Sequence, residues 1–312
     1  MTANEGKEHG IDGAPLFSRA SHIKIDPSDK GQPYREGLFN GYKMQILSAL
    51  DKANLTTHDR HSIIISRFEA LLNKVVDTFD PSEQEKIVDA LLNMIRLHAS
   101  QNPRLSGETA VEHLLEVAGL LFAIVKDPKP EEIIVALLHD AIEDRARKML
   151  AIGDFDNLAG SFADPAAWEQ TVAKAQMEYF YGEKVRDMLN NLMKPDYERV
   201  ITNLYGRSDL TAEEFQLENS RLYVDYLKKA LDNPNVAVIK LVDFIDNATD
   251  VNEIPDEHEE QRTKIKSKYY GGFAVILEKL KDPGFAARLK DPEKLYEQMA
   301  TVFEHYYQEG QF

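Results

Sequence analysis

The sequence of 312 residues contains no cysteine. Disulfides and thiolate metal sites are therefore excluded, and a reducing compartment is compatible with the chain. It also lacks any apolar run of membrane-spanning length, and its polar start, "MTANEGKEHG", has no signal-peptide core; the expectation is a soluble cytoplasmic protein with no membrane contact. Basic charge is in short supply: 37 Lys and Arg face 53 Asp and Glu, a net charge of −16. That balance argues against nucleic acid as a partner, because phosphate-backbone contacts need a basic face. It leaves room for a small anionic ligand, since a metal ion and a few arginines reverse the sign locally. Internal repeats and low-complexity tracts are missing too.

What remains is apolar periodicity. Residues 1–40, rich in Gly, Pro, Asp and Ser, have no sustained period and are expected to form an irregular arm. From 41 to 312 the pattern is helical almost throughout, and one all-α domain is expected there. "SRFEALLNKVVDTF" puts Phe68, Leu71, Leu72, Val75, Val76 and Phe79 on one face, and "DPSEQEKIVDALLNMIRLHAS" opens with the helix-start pair Asp80–Pro81. Further helices are expected at about 108–126, 130–147, 166–193, 212–231, 258–281 and 292–307, with a loop at 149–165. "NPNVAVIKLVDFIDNATDV" mixes β-branched residues with a helical period and is read as helix, because no other strand is available to pair with it.

One stretch conflicts with its surroundings. "IIVALLHDAIED", 133–144, places His139, Asp140, Glu143 and Asp144 directly after an apolar run. On a continuous helix His139 lies over Glu143 and Asp140 over Asp144. Ile134, Leu137, Leu138, Ala141 and Ile142 fill most of the remaining circumference, so the polar groups should form the floor of a pocket. Two like charges about 4 Å apart cost roughly 4 kcal/mol even at an effective dielectric near 20. The second half of a helix disfavours anions further. A bound divalent cation relieves both problems.

Two other segments offer matching ligands. "SGETAVEHLLEVAGLL" sets His113 amid apolar residues, and "VIKLVDFIDNATD" sets Asp243 between Val242 and Phe244 with Asn247 one turn later. His113, His139, Asp140 and Asp243 make a mixed imidazole and carboxylate set, which suits Mn²⁺, Fe²⁺ or Zn²⁺ better than Mg²⁺ or Ca²⁺. Four protein ligands on a six-coordinate ion leave positions open for water and substrate.

The split H…HD…D pattern resembles that of HD-domain metal-dependent phosphohydrolases. More narrowly, "HDAIED" is similar to the HDxxED signature of the RelA/SpoT-type alarmone hydrolase branch. "RLSGETAVEHLLEVAGLL" resembles that branch's first motif, with Arg104 nine residues before His113, and "IKLVDFIDNATD" its last. The likeness covers about 84–281. It implies an HD-domain helical bundle, with the first residues as an N-terminal extension and with extra chain around 149–210 between the HD and final Asp motifs, expected to be a lid or an interface element. It implies His113, His139, Asp140 and Asp243 as ligands of one metal ion (Mn²⁺ foremost), and Glu143 and Asp144 as the acidic pair that orients or deprotonates the attacking water. Arg104 and Asn247 are implied as substrate-positioning residues. The implied activity is removal of the 3′-pyrophosphate of a guanosine alarmone. Phe244 departs from the family, which usually carries Arg directly after this Asp.

Other readings stand beside this one: an HD phosphohydrolase of another nucleotide (a nucleoside monophosphate or a deoxynucleoside triphosphate), or a non-catalytic nucleotide-sensing module. Retention of both Glu143 and Asp144 disfavours the sensor, because binding alone needs no proton acceptor. A homo-oligomer is left open. Taken singly, His113 would read as a core histidine, Arg104 as a surface ion-pair partner and Asn247 as a helix cap. His98, like His9, His22, His58, His61, His258 and His305, reads as an ordinary histidine without a role in the site, with a supporting place behind the first motif as the alternative for His98 alone. "KIKSKYY", 264–270, reads as a solvated helix face, with phosphate or base contact as the alternative.

Overall fold

The computed structural model describes residues 32–55, 60–150, 164–205 and 210–307. Its elements are α1 (Gln32–Lys52), α2 (His61–Thr78), α3 (Pro81–His98), α4 (Ala110–Ile124), α5 (Pro130–Leu138), α6 (Ala141–Leu150), α7 (Pro165–Tyr181), α8 (Glu183–Leu192), α9 (Tyr197–Tyr205), α10 (Ala212–Asp232), α11 (Ala237–Asp250), α12 (Glu259–Leu280), α13 (Pro283–Ala286) and α14 (Pro292–Tyr306). Among the described residues there is no strand, only one isolated bridge between Val125 and Leu289. The fold class is all-α. No helix of the described residues is long and apolar enough to cross a membrane.

The local sequence accounts for the clearest boundaries. Asp80 accepts from the backbone of Ser82 and Glu83 while Glu83 reaches back to its N–H, a capping box that starts α3. Thr109 and Glu112 do the same for α4. The ambiguous segment is the helix α11, buried on most of its circumference, which is why its composition looked strand-like. A single hydrophobic cluster runs from Leu38 and Tyr42 of α1 to Leu295 and Met299 of α14.

Four expectations need correction. The first helix begins at Gln32, within the stretch assigned to an irregular arm, and Leu38 is buried; residues 1–31 lie outside the described residues. The 166–193 helix is two, broken at Gly182, whose φ of 91° is open to glycine and costly for other residues. Of the loop expected at 149–165, Met149 and Leu150 belong to α6 and are buried, while 151–163 lie outside the described residues. Finally, the 130–147 helix is two helices, α5 and α6, separated at His139–Asp140.

The segment around 149–210 contributes core. Ala173 and Met177 of α7 and Val185, Met188 and Leu189 of α8 are buried. The Tyr181 hydroxyl donates to Asp89 Oδ2 at 2.9 Å and accepts from Asn93 Nδ2 at 2.7 Å, tying α7 to α3.

Candidate metal centre and cleft

The break between α5 and α6 removes one of the costs read from the sequence. α5 ends at Leu138 and α6 begins at Ala141, with the backbone N–H of Asp144 bonded to the Asp140 carbonyl at 2.8 Å in its first turn. Glu143 and Asp144 sit in that turn, where the helix dipole favours anions. On one unbroken helix they would have sat where it opposes them. Mutual repulsion remains, and the surroundings answer it.

His113 comes from α4, His139 and Asp140 from the α5–α6 junction, and Asp243 from α11. The His113 Nε2 lies 3.6 Å from Asp243 Oδ1 and 4.0 Å from Asp140 Oδ2. The His139 Nε2 lies 3.4 Å from the same Asp243 oxygen and 3.3 Å from Asp140 Oδ1. Each ring is oriented through its other nitrogen. Nδ1 of His139 is 2.9 Å from the Ala136 carbonyl, and Nδ1 of His113 is 2.5 Å from Asp246 Oδ2. A proton donated from Nδ1 leaves Nε2 with a lone pair, and both Nε2 atoms are buried without a hydrogen-bond partner among the described residues. Buried acceptors left bare are costly and uncommon. Two of them converging on two carboxylates could serve as ligand atoms for one metal ion.

The charge of the site makes the same point. Burial disfavours a charged His139, but Asp140 and Asp243 raise its pKa to about 9, so that at neutral pH a second proton takes the Nε2 lone pair and a bound cation would have to displace it. Burial likewise opposes ionisation of Asp140 and Asp243; imidazoles hold the first below the usual carboxylate value, and Lys240 with His139 holds the second well below it. The junction therefore calls for positive charge at one point. His113, His139 and Asp140 each present a ligand atom, all within 4.8 Å of one another, and could hold a metal ion; Asp243 Oδ1 stands beside both rings. Glu108, His113 and Asp246 are equally close together. They lie on the Nδ1 side of His113, where Arg67 contacts Glu108 at 2.9 Å and Arg104 approaches it at 3.8 Å. That group orients the His113 ring.

All eight residues singled out in the sequence line one cleft of about 180 Å³. Arg104 donates to Asn247 Oδ1 at 3.1 Å, and Asn247 donates to Asp243 Oδ1 at 2.6 Å, so Asn247 braces a candidate ligand and is no helix cap. Glu143 is held by Lys194, through Nζ at 2.7 Å and the backbone N–H at 3.2 Å. Asp144 accepts from Gln101 Nε2 at 3.1 Å; burial and then Asp140 raise its pKa.

The opposite wall was largely missed. It consists of Lys194 and Lys268 with Tyr223, Tyr226 and Tyr269, while Lys240 comes from α11 beside Asp243. Lys240, buried over the Tyr226 ring, pairs with Asp243 Oδ2 at 2.7 Å. Lys268 stands over Tyr223 and Tyr269, 4.7 and 5.1 Å from the ring centroids. Burial, then Lys194 and Lys240, lower its pKa to about 8. The run "KIKSKYY" is thus no solvated face at Lys268 and Tyr269, although Tyr270 is exposed. The cause is the glycine pair that follows. A Cβ on Gly271 would meet Val224 at 2.8 Å and one on Gly272 would meet Phe244 at 2.6 Å, so α12 approaches α10 and α11 more closely than a side chain allows. Phe244 is itself fully buried, edge-on to Tyr269 and Phe273, and belongs to the core. The signal for Lys240 was available in its spacing of three from Asp243. Lys194 had none, since packing of α8 alone brings it to Glu143.

A scan of protein-family models finds none that matches this chain, and a search of curated proteins finds no relative of it.

Proposed function

We propose that this chain is a metal-dependent phosphohydrolase of the HD-domain type acting on a phosphorylated nucleotide, with removal of the 3′-pyrophosphate of a guanosine alarmone as the leading activity. The observation that carries the reading is the pair of bare, buried Nε2 atoms of His113 and His139 converging on Asp140 and Asp243, with cations facing them across the cleft. The donor set fits one Mn²⁺, Fe²⁺ or Zn²⁺ ion. Such an ion, when bound, lowers the pKa of a coordinated water and polarises a phosphoryl oxygen.

The chain's own groups would divide the remaining work. Asp144, with its raised pKa, is the better proton acceptor of the acidic pair. Glu143, neutralised by Lys194, holds that lysine at the cleft. Arg104, Lys194 and Lys268 supply positive charge for phosphate oxygens, Arg104 as a planar fork. The buried tyrosines, with Lys240 over Tyr226 and Lys268 over Tyr223 and Tyr269, hold those two ammonium groups in the cleft lining. The enclosed volume is smaller than a typical drug-sized pocket of about 300–1,000 Å³, which suits a phosphoryl or pyrophosphoryl group with the rest of the ligand reaching outward.

A release assay with Mn²⁺ across nucleotides tests the reading. Pyrophosphate from a 3′-pyrophosphorylated guanosine supports it in full. Phosphate from monophosphates, or triphosphate from deoxynucleotides, moves the substrate and keeps the chemistry. Silence with measurable binding supports the sensor, and absence of bound metal removes the site.

A further inference from the structure

We propose that Gln101 is a positioning residue for the acidic pair, its side-chain amide set by His98 so that its NH₂ group holds the Asp144 carboxylate. This rests on the hydrolase reading above, in which Asp144 receives a proton.

Gln101 follows α3 in a turn closed by its own N–H on the His98 carbonyl at 2.9 Å. Its side chain then bridges two groups of opposite need. An ionised carboxylate only accepts, so the amide must present Nε2 to Asp144 Oδ2, 3.1 Å away. Oε1 is left facing His98 Nδ1 at 2.6 Å. That contact requires a donor, and an unprotonated Nδ1 would set two lone pairs against each other. His98 is buried, and burial drives its pKa down to about 4, so it carries one ring proton at neutral pH. The order of donors is then fixed: His98 Nδ1–H to Gln101 Oε1, and Gln101 Nε2–H to Asp144. The His98 Nε2, bare of any partner among the described residues, is what this tautomer leaves behind.

The arrangement answers a mechanical need. Asp144 lies on α6, a ten-residue helix that follows the interruption at His139–Asp140, and its rotamer needs an anchor outside that helix. With Oδ2 taken by Gln101, Oδ1 is left for the proton. One turn further along α6, Lys148 donates to the carbonyls of Arg96 and Leu97 at 2.5 and 3.1 Å. The end of α3 thus grips α6 at two successive turns.

The test joins a spectroscopic and a kinetic measurement on the full chain. With ¹⁵N-labelled histidine, the His98 resonances, assigned by their loss in His98→Phe, should report a neutral ring protonated at Nδ1. A ring protonated at Nε2 overturns the proposal, because the amide would then have to be reversed. In the Mn²⁺-loaded enzyme, Gln101→Met should lower kcat on the order of 10–100-fold, the usual effect of losing a partner behind a reacting group. KM and metal content should hold. Gln101→Glu, which sets a second carboxylate against Asp144, should fall at least as far. His98→Phe should follow Gln101→Met, and His98→Asn, whose amide N–H can replace Nδ1–H, should recover most of the loss. An unchanged kcat in Gln101→Met in a working enzyme overturns the positioning role and leaves the hydrolase reading standing. A wild-type protein silent on every nucleotide overturns both.

Discussion

The two walls of the cleft carry opposite charge, and each is unbalanced by itself. On the α4, α5–α6 and α11 side two carboxylates crowd two imidazoles whose Nε2 atoms have no hydrogen-bond partner among the described residues. On the facing side, burial and neighbouring ammonium groups push Lys268 down to about 8. A structural charge cluster relaxes toward internal pairing, because buried charge without a partner is costly. Here pairing is partial: Lys240 reaches Asp243 three residues along the same helix, α11, and Lys194 reaches Glu143. The residue of each sign is what a cation and a phosphate would neutralise.

The largest effect should come from the acidic wall. His139→Ala deletes the imidazole between Asp140 and Asp243, and metal content, measured on purified protein, should fall to background together with all metal-dependent turnover. Unchanged metal content would show the wall to be structural. Asp144→Asn should keep the metal and lower kcat by about 10²–10⁴-fold, the range for loss of a general base. If kcat holds and KM rises, Asp144 binds substrate and takes no proton. On the basic wall, Lys194→Ala should raise KM roughly tenfold or more with kcat less affected, since a hydrogen bond to a charged group contributes about 1.5–3 kcal/mol. A loss confined to kcat would instead mean that Lys194 acts only through Glu143.

Legibility in the sequence follows the same division. The acidic wall could be read because its residues break local expectation, a histidine or aspartate inside an apolar helix stripe, and because three such breaks fall on separate helices. The basic wall could not, because lysine and tyrosine at a helix surface are ordinary, and only tertiary packing decides whether that surface meets solvent. Gly271 and Gly272 settle the matter for Lys268 by allowing close approach, a contact no local period records. The helices themselves were legible from their apolar stripes and from caps such as Asp80 and Thr109. The break at His139–Asp140 was not, since apolar residues on both sides continue the helical period through it.

A smaller effect should appear with pH. Lys268 is an ammonium below about 8 and a neutral amine above it, so an anionic substrate should lose one attraction as pH rises from 7 to 9, and KM should climb by several-fold. A bound phosphate would stabilise the ammonium and move that climb upward. Lys268→Arg, charged throughout, should flatten it, and Lys268→Met should give the high-pH KM at every pH. A climb that survives in Lys268→Arg would assign it to another group.

The smallest effect on turnover is expected outside the cleft lining, at Tyr181, Asp89 and Asn93. This cluster is also buried and polar, its members are joined by hydrogen bonds, and like the site it leaves a buried oxygen, Asn93 Oδ1, without a hydrogen-bond partner among the described residues; it differs in that none of the three residues lines the cleft. Tyr181→Phe removes the hydroxyl that Asp89 accepts from and leaves a buried carboxylate with one donor fewer, a loss of about 1–3 kcal/mol. The measurement is denaturant unfolding of the full chain, with metal content and turnover followed in parallel. Stability should fall while kcat and KM hold, because none of the three side chains lines the cleft. If turnover fell as well, α7 would be more than packing for α6, and position outside the cleft would not separate a structural polar cluster from a functional one in this fold.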